Sequence, residues 1–212
     1  MVLAAVIAAS GTGAAVAAAL GITPARLTVF AAATTVPVTS CTLDAVADSY
    51  VDQLNLLSNF GAATTFLVQS SLTQNKRGFV RFDLSSCSIP STARIKTAIL
   101  TLSLATAPTS SRTYLASRAT GSWSEAGLTW TNQPAVAGSP TATCTTGTSS
   151  GVALTWNVAL DVQAFTDGSL TNNGWRLADS SEDAVAGRQG TFASRESATA
   201  AARPALHITY YP

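Results

Sequence analysis

Charge is what this sequence has least of. Its 212 residues hold 12 Lys and Arg against 11 Asp and Glu, a charged fraction of 11% and a formal net charge of +1. A nucleic-acid partner needs a basic stripe that follows the phosphates, and without one that class is excluded. Histidine is nearly absent as well, since His207 is the single one. It alternates with Leu206 and Ile208, and no Gly-x-Ser-x-Gly segment accompanies it, which removes a Ser-His-Asp triad and most imidazole-based metal chemistry. No glycine-rich loop of the Walker or dinucleotide type leads into a helix, so nucleotide-dependent chemistry is excluded too. What is abundant is Ala, Ser and Thr, within a hydrophobic share of 47% that is too high for a disordered chain.

The apolar residues are unevenly spread. Arg26 is the only charged residue before Asp44, and Val2 to Ile22 is an apolar run rich in Ala and Gly. A run of about 21 residues just spans the roughly 30 Å of bilayer hydrocarbon. Small residues at Ala17, Ala18 and Ala19, and again at Ala31, Ala32 and Ala33, suit signal-peptidase cleavage. Residues 1–43 are therefore expected to form a leader and linker, and residues 44–212 an exported domain that is secreted or held at the cell surface. No basic stretch precedes the run, so a retained hydrophobic anchor is the alternative, and that anchor would be the chain's only contact with a membrane. A buried alanine-rich helix ranks below both, because nothing polar marks a solvent face.

Three cysteines, Cys41, Cys87 and Cys144, show no CxxC spacing, which argues against zinc and redox motifs and for one disulfide with one leftover thiol. Of the three possible pairings, Cys41 with Cys87 is the expected one; closing such a loop stabilises by roughly 4 kcal/mol in the chain-entropy model.

From residue 48 onward the pattern changes to short alternating stretches. In residues 79–84, Val80, Phe82 and Leu84 share one face while Phe79, Arg81 and Asp83 share the other. Ala98, Leu100, Leu102 and Leu104 repeat the device, and further strands are expected at 65–69, 113–118, 128–131, 152–158, 174–178, 191–195 and 205–210. About ten such strands between turn signals predict an all-β fold, a jelly-roll-like antiparallel β-sandwich. One helix is expected over 158–166, with Leu160, Val162 and Phe165 on one face and Gly168 as the stop. The loops at 106–112, 134–140 and 179–190 are polar, and such loops at a sandwich rim are where binding usually sits.

Pieces of the sequence, taken in order, carry a resemblance. They are Ala47-Asp48-Ser49-Tyr50-Val51, Asn59-Phe60-Gly61, Arg81-Phe82-Asp83-Leu84, Trp123-Ser124-Glu125 with Leu128-Thr129-Trp130 and Asn132-Gln133-Pro134, Asn173-Gly174-Trp175, Phe192-Ala193-Ser194-Arg195-Glu196, and Arg203-Pro204 before a final strand. Together they resemble the DNRLRE domain over about residues 44–211. The resemblance implies a secreted jelly-roll-like sandwich of bacterial and archaeal surface proteins, found beside polysaccharide-degrading modules. Some relatives are carbohydrate-binding modules for acidic polysaccharides, and the family name is linked to disaggregatase proteins acting on archaeal cell-envelope polysaccharide. No catalytic domain accompanies these motifs here, which points to binding or architecture.

The residues themselves carry several readings. Arg81 and Asp83 share a strand face, and Arg195-Glu196 offers opposite charges to them, so the set is either a sugar-binding Arg fork or an internal ion-pair network. Trp156 and Trp175 fall in alternating strands and belong to the core. Trp123 and Trp130 flank a polar bend, where an indole either stacks on a sugar or anchors the loop. Glu125 beside Trp123 is weighed as a general acid, but a loop hydrogen-bond acceptor is the stronger reading, and no carboxylate pair for glycoside hydrolysis is certified by spacing. Calcium is the one ion kept open, with Asp48, Asp52, Asp179 and Asp183 as weak candidates outside any EF-hand pattern; a solvated face is the stronger reading, and no cofactor is expected. The expected function is thus a non-catalytic extracellular module that binds polysaccharide or cell-envelope glycan through Trp123, Trp130, Arg81, Arg195 and Glu196. Its competitors are a structural surface protein without glycan binding and, more weakly, a polysaccharide-degrading enzyme.

Overall fold

The computed structural model describes residues 36–184 and 188–212; the expected leader or anchor helix lies outside them. The elements follow in the order β1 (Thr39–Asp52), β2 (Thr65–Ser70), β3 (Lys76–Phe82), β4 (Arg94–Thr106), β5 (Arg112–Arg118), β6 (Ala142–Thr146), β7 (Val152–Asn157), α1 (Ala159–Thr166), β8 (Trp175–Asp179), β9 (Arg188–Ala193) and β10 (Ala205–Tyr211). All strand pairings are antiparallel. The hydrogen-bonded path runs β1-β10-β4-β9-β2-β3 and returns to β1, with β8, β5 and β6 continuing beyond β3 and β7 on the far edge of β4. The result is the expected sandwich-like antiparallel fold.

The strand that closes it is β1. Thr39 to Asp44 pair with β10, Ala45 to Asp52 pair with β3, and a bulge between Ala45 and Ala47 lets one strand serve both sheets. A bulge adds a residue and bends its strand, which resets the side-chain alternation. Leu43 and Ala45 face the core before it; Ala47 and Val51 face outward after it, into a second apolar cluster, while Tyr50 stays on the core side. The main core lies between the sheets, where Val80 and Phe82 of β3 meet Leu100, Leu102 and Leu104 of β4, Leu206 and Ile208 of β10, and the stacked Phe66 and Phe192. Trp156 and Trp175 are fully buried there, as their strand positions predict. Each indole N–H is satisfied, by Tyr114 O at 3.1 Å and by Asp161 Oδ2 at 2.7 Å respectively. Cys41 and Cys87 form the expected disulfide, and Cys144 is free.

Four local expectations need correction. Residues 128–131 are not a strand: their two-residue alternation arises because Leu128 and Trp130 both press onto a sheet from a loop. Strand β6 was not expected, since its Thr-rich sequence puts little apolar signal on a strand reached from only one neighbouring strand. The first residues of β1, Cys41 among them, fall in the segment up to residue 43 that was expected as linker. In α1, Leu160 is 84% exposed, whereas Val162 and Asp161 are buried, Asp161 because it accepts from Trp175 and stands 3.4 Å from Arg118.

Candidate functional site

The outward face of β1 and β3 is covered by the chain between β5 and β6. In β3 the alternation turns Arg77, Phe79 and Arg81 outward, away from Val80 and Phe82. The segment 121–133 lies across them. Trp123, 8% exposed, sets its ring edge-on to Phe79 at 5.7 Å and donates its indole N–H to Asn173 O at 2.8 Å. The Arg81 guanidinium sits 5.3 Å from the Trp123 ring centroid and donates through Nη1 to Trp123 O at 3.1 Å. Trp130 packs beneath Arg77, 4.5 Å from its ring centroid; Arg77 is itself held by Glu182 through two bonds of 2.7 Å and donates to Gln133 at 3.0 Å. Asn59 pins the segment from the side, its amide donating to Glu125 O at 2.7 Å and to Leu128 O at 2.8 Å. Gly61 allows this closeness, because a Cβ there would sit inside van der Waals contact of Glu125 O.

Two hollows flank the Arg81–Trp123 contact, and a third, smaller one borders the loop at Glu125 and Ala126. One, about 470 Å³, is lined by Ser122, Trp123, Ser124, Gly127, Leu128 and Asn132. The other, about 400 Å³, is lined by Val46, Arg81, Phe82, Asp83 and Asn172. The Arg81–Trp123 stack links them, Trp123 lining the first and Arg81 the second. The first offers hydroxyls and an amide from Ser122, Ser124 and Asn132, the second charged groups and an amide from Arg81, Asp83 and Asn172, and together they make the polar lining a hydroxyl-rich ligand needs.

A third arrangement lies at the end of the sheet. Asp48 of β1, 1% exposed, accepts the backbone N–H of Arg195 at 2.7 Å, and its own N–H donates to Glu125 Oε1 at 2.9 Å. Arg195 Nη1 donates to Glu125 Oε2 at 2.7 Å and stands 3.1 Å from Glu196 Oε1. Carboxylate oxygens of Asp48, Glu125 and Glu196 lie within 4.8 Å of one another. Burial pushes the Asp48 carboxyl up to about 7; the Arg195 N–H opposes that rise, while the charges of Glu196 and Glu125 add to it. Glu125 is therefore a loop hydrogen-bond acceptor and an ion-pair partner, and Arg195 is the cation of the cluster.

The family model of carbohydrate-binding module family 96 matches residues 39–210. The chain belongs to carbohydrate-binding module family 96. It is a non-catalytic carbohydrate-binding module, and the match spans the sandwich from the first residue of β1 to the penultimate residue of β10. No curated protein matches the chain.

Within the module, the residues singled out from the sequence fall into three places. Arg81 and Trp123 meet between the two hollows; Trp130 lies under Arg77; Arg195 and Glu196 join Asp48 and Glu125. Arg81 forms no ion pair among the described residues, so the network imagined between Arg81-Asp83 and Arg195-Glu196 is not made. Of the four aspartates weighed for calcium, Asp48 stands in the carboxylate cluster with Glu125 and Glu196, and the other three are dispersed. Asp52 caps a turn through Leu54 N and Asn55 Nδ2, Asp179 takes a bidentate bond from Arg112, and Asp183 accepts from Asn75.

Arg176 of β8 escaped the sequence reading. It stands beside Phe79 on the outward face, opposite Ser117 of β5. Its Nε is buried without a hydrogen-bond partner, and it makes no ion pair among the described residues. Burial, with Arg77 nearby, pushes this guanidinium down from its ordinary value, against a smaller pull from Glu182. Its alternation with Trp175 and Leu177 marks it as outward-facing, but nothing in the sequence marks it as unpaired.

Proposed function

We propose that the module holds an acidic polysaccharide, such as a cell-envelope glycan, on the outward face of β1, β3 and β8, with the two hollows beside the Arg81–Trp123 contact taking successive sugars. The observation that carries this reading is Arg176. With its Nε–H buried and no carboxylate paired to it among the described residues, this guanidinium carries an uncompensated charge, and an external carboxylate or sulfate approaching its terminal nitrogens offsets that cost. Arg81 supplies further N–H donors between the hollows, and Ser122, Ser124, Asn132 and Asn172 supply hydroxyls and amides for sugar hydroxyls. Trp123 supports the loop with its buried ring instead of offering it as a platform. The resemblance to the DNRLRE domain supports a secreted or surface-held role without turnover, and the disulfide is consistent with an oxidising compartment.

Affinity electrophoresis of the full chain tests this, with polygalacturonate, a sulfated galactan and a neutral β-glucan in the gels. Retardation by an anionic polymer is expected, with at least a tenfold loss of affinity in Arg176→Gln and Arg81→Gln, each still folded by far-ultraviolet circular dichroism. Equal retardation of both variants and wild type, or retardation by the neutral glucan alone, contradicts the reading.

A further inference from the structure

The carboxylate cluster at the sheet end has more negative charge than its single arginine balances. Three carboxylates face one guanidinium, Asp48 is almost wholly buried, and Glu196 Oε2 is buried with no hydrogen-bond partner among the described residues. Carboxylates this close do not all ionise, because each charge disfavours the next. A proton resolves both anomalies at once: a neutral Asp48 has an O–H to donate, and the unpartnered Oε2 of Glu196 is an acceptor within the same cluster. The other charged groups bearing on Asp48 come from two segments, Glu125 from the loop after β5 and Arg195 with Glu196 from the chain after β9; β3 places uncharged Val80 beside it.

The cluster also has a mechanical consequence, because Glu125 belongs to the loop that borders the larger hollow. Its two oxygens tie residues 124–128 to the Asp48 amide and to Arg195. We propose that Asp48, Glu125, Glu196 and Arg195 form a proton-operated latch, closed while Asp48 is neutral, that fastens the glycan-binding loop to the end of the sheet. The functional side of this proposal rests on the reading of that loop as the glycan site. Loss of the proton sets a third negative charge against Glu125 and Glu196, and withdrawal of Glu125 relieves it. Trp123 and Asn59 still hold the loop, so the movement is confined to the bend between them.

The sign follows from linkage. The closed latch holds its proton up to about pH 7, whereas an opened, hydrated Asp48 titrates near its ordinary value of 3.8. Opening therefore becomes easier as pH rises from about 4 to about 7 and levels off above, by up to about 70-fold between pH 5 and pH 7.5.

Hydrogen exchange on the full chain with EDTA present and no glycan reads the latch alone, so a glycan bound elsewhere leaves the result interpretable. The reporters are the amides of Asp48, Gly127, Leu128 and Arg195, each hydrogen-bonded within the cluster or its loop. After correction for intrinsic rates, wild-type protection at these amides is expected to fall by tens-fold from pH 5 to pH 7.5, while Leu100 in β4 stays the more protected at every pH, as a local opening requires. Asp48→Asn, which keeps the shape and cannot titrate, is expected to show no such fall, and Glu196→Gln a reduced one. Protection independent of pH in the wild type, or the same fall in Asp48→Asn, overturns the proposal; should Asp48→Asn not fold, an undiminished fall in Glu196→Gln does so.

Discussion

Replacing Trp123 decides whether its ring holds the loop or the ligand. The ring is 8% exposed, meets Phe79 edge-on, carries Arg81 on its face and spends its indole N–H on Asn173 O. A Trp buries on the order of 200 Å², which at about 25 cal/mol per Å² is about 5 kcal/mol of transfer free energy. Measured truncations of buried Trp cost about 3–5 kcal/mol, so Trp123→Ala is expected to destabilise by about 4 kcal/mol. Trp123→Phe keeps most of the apolar body and strands the Asn173 carbonyl, for about 1–2 kcal/mol. Urea unfolding followed by far-ultraviolet circular dichroism measures both. If Trp123→Ala stays within about 1 kcal/mol of wild type, a value expected of surface sites, while glycan affinity collapses, the ring is a sugar platform and its assignment as a loop anchor is wrong.

Three further outcomes follow from the same geometry. Asp48 titrates higher in the folded than in the unfolded chain, so its contribution is complete below pH 3.8 and is lost as pH rises to about 7; about 3 kcal/mol of stability should disappear between pH 5 and pH 8 in urea titrations, and not in Asp48→Asn. Asp179→Asn leaves Arg112 without its buried counter-charge and is expected to cost about 3 kcal/mol in the same assay, with a smaller loss arguing that the pair is not needed for folding. The Tyr114 hydroxyl is buried without a partner, so Tyr114→Phe should stabilise by about 1 kcal/mol, and a loss instead would reveal a hydrogen bond to that hydroxyl.

How far the sequence carried depended on whether a feature was local. Alternation made the core-facing residues of β3 and β4 readable, although in β3 the outward Phe79 is buried as well, beneath the loop. The same two-residue period misled at Leu128 and Trp130, where a loop buries alternate residues without pairing as a strand. In α1 the helix itself was legible, yet Leu160 points away from the face that docks, which carries Val162, Phe165 and the buried Asp161 that no apolar pattern shows. The carboxylate cluster was out of reach: Asp48 meets Glu125 across 77 residues and Arg195 across 147, contacts made by the β1 bulge and by the chain leaving β9. Trp123 was weighed as sugar platform or anchor, and Phe79 beneath it favours the anchor, a partner fixed by sheet register and not by neighbouring sequence.

The central claim is that glycan lies along the 122–132 loop on the outward face of β1, β3 and β8. Backbone chemical-shift mapping of the full chain with oligogalacturonate, chosen as a soluble uronate probe, tests it most directly. The account predicts shifts clustered at Arg81, Trp123, Gly127, Asn132, Asn172 and Arg176, with the opposite sheet at Thr97, His207 and Thr209 silent. Shifts concentrated on that opposite sheet, with the loop unchanged, would contradict it.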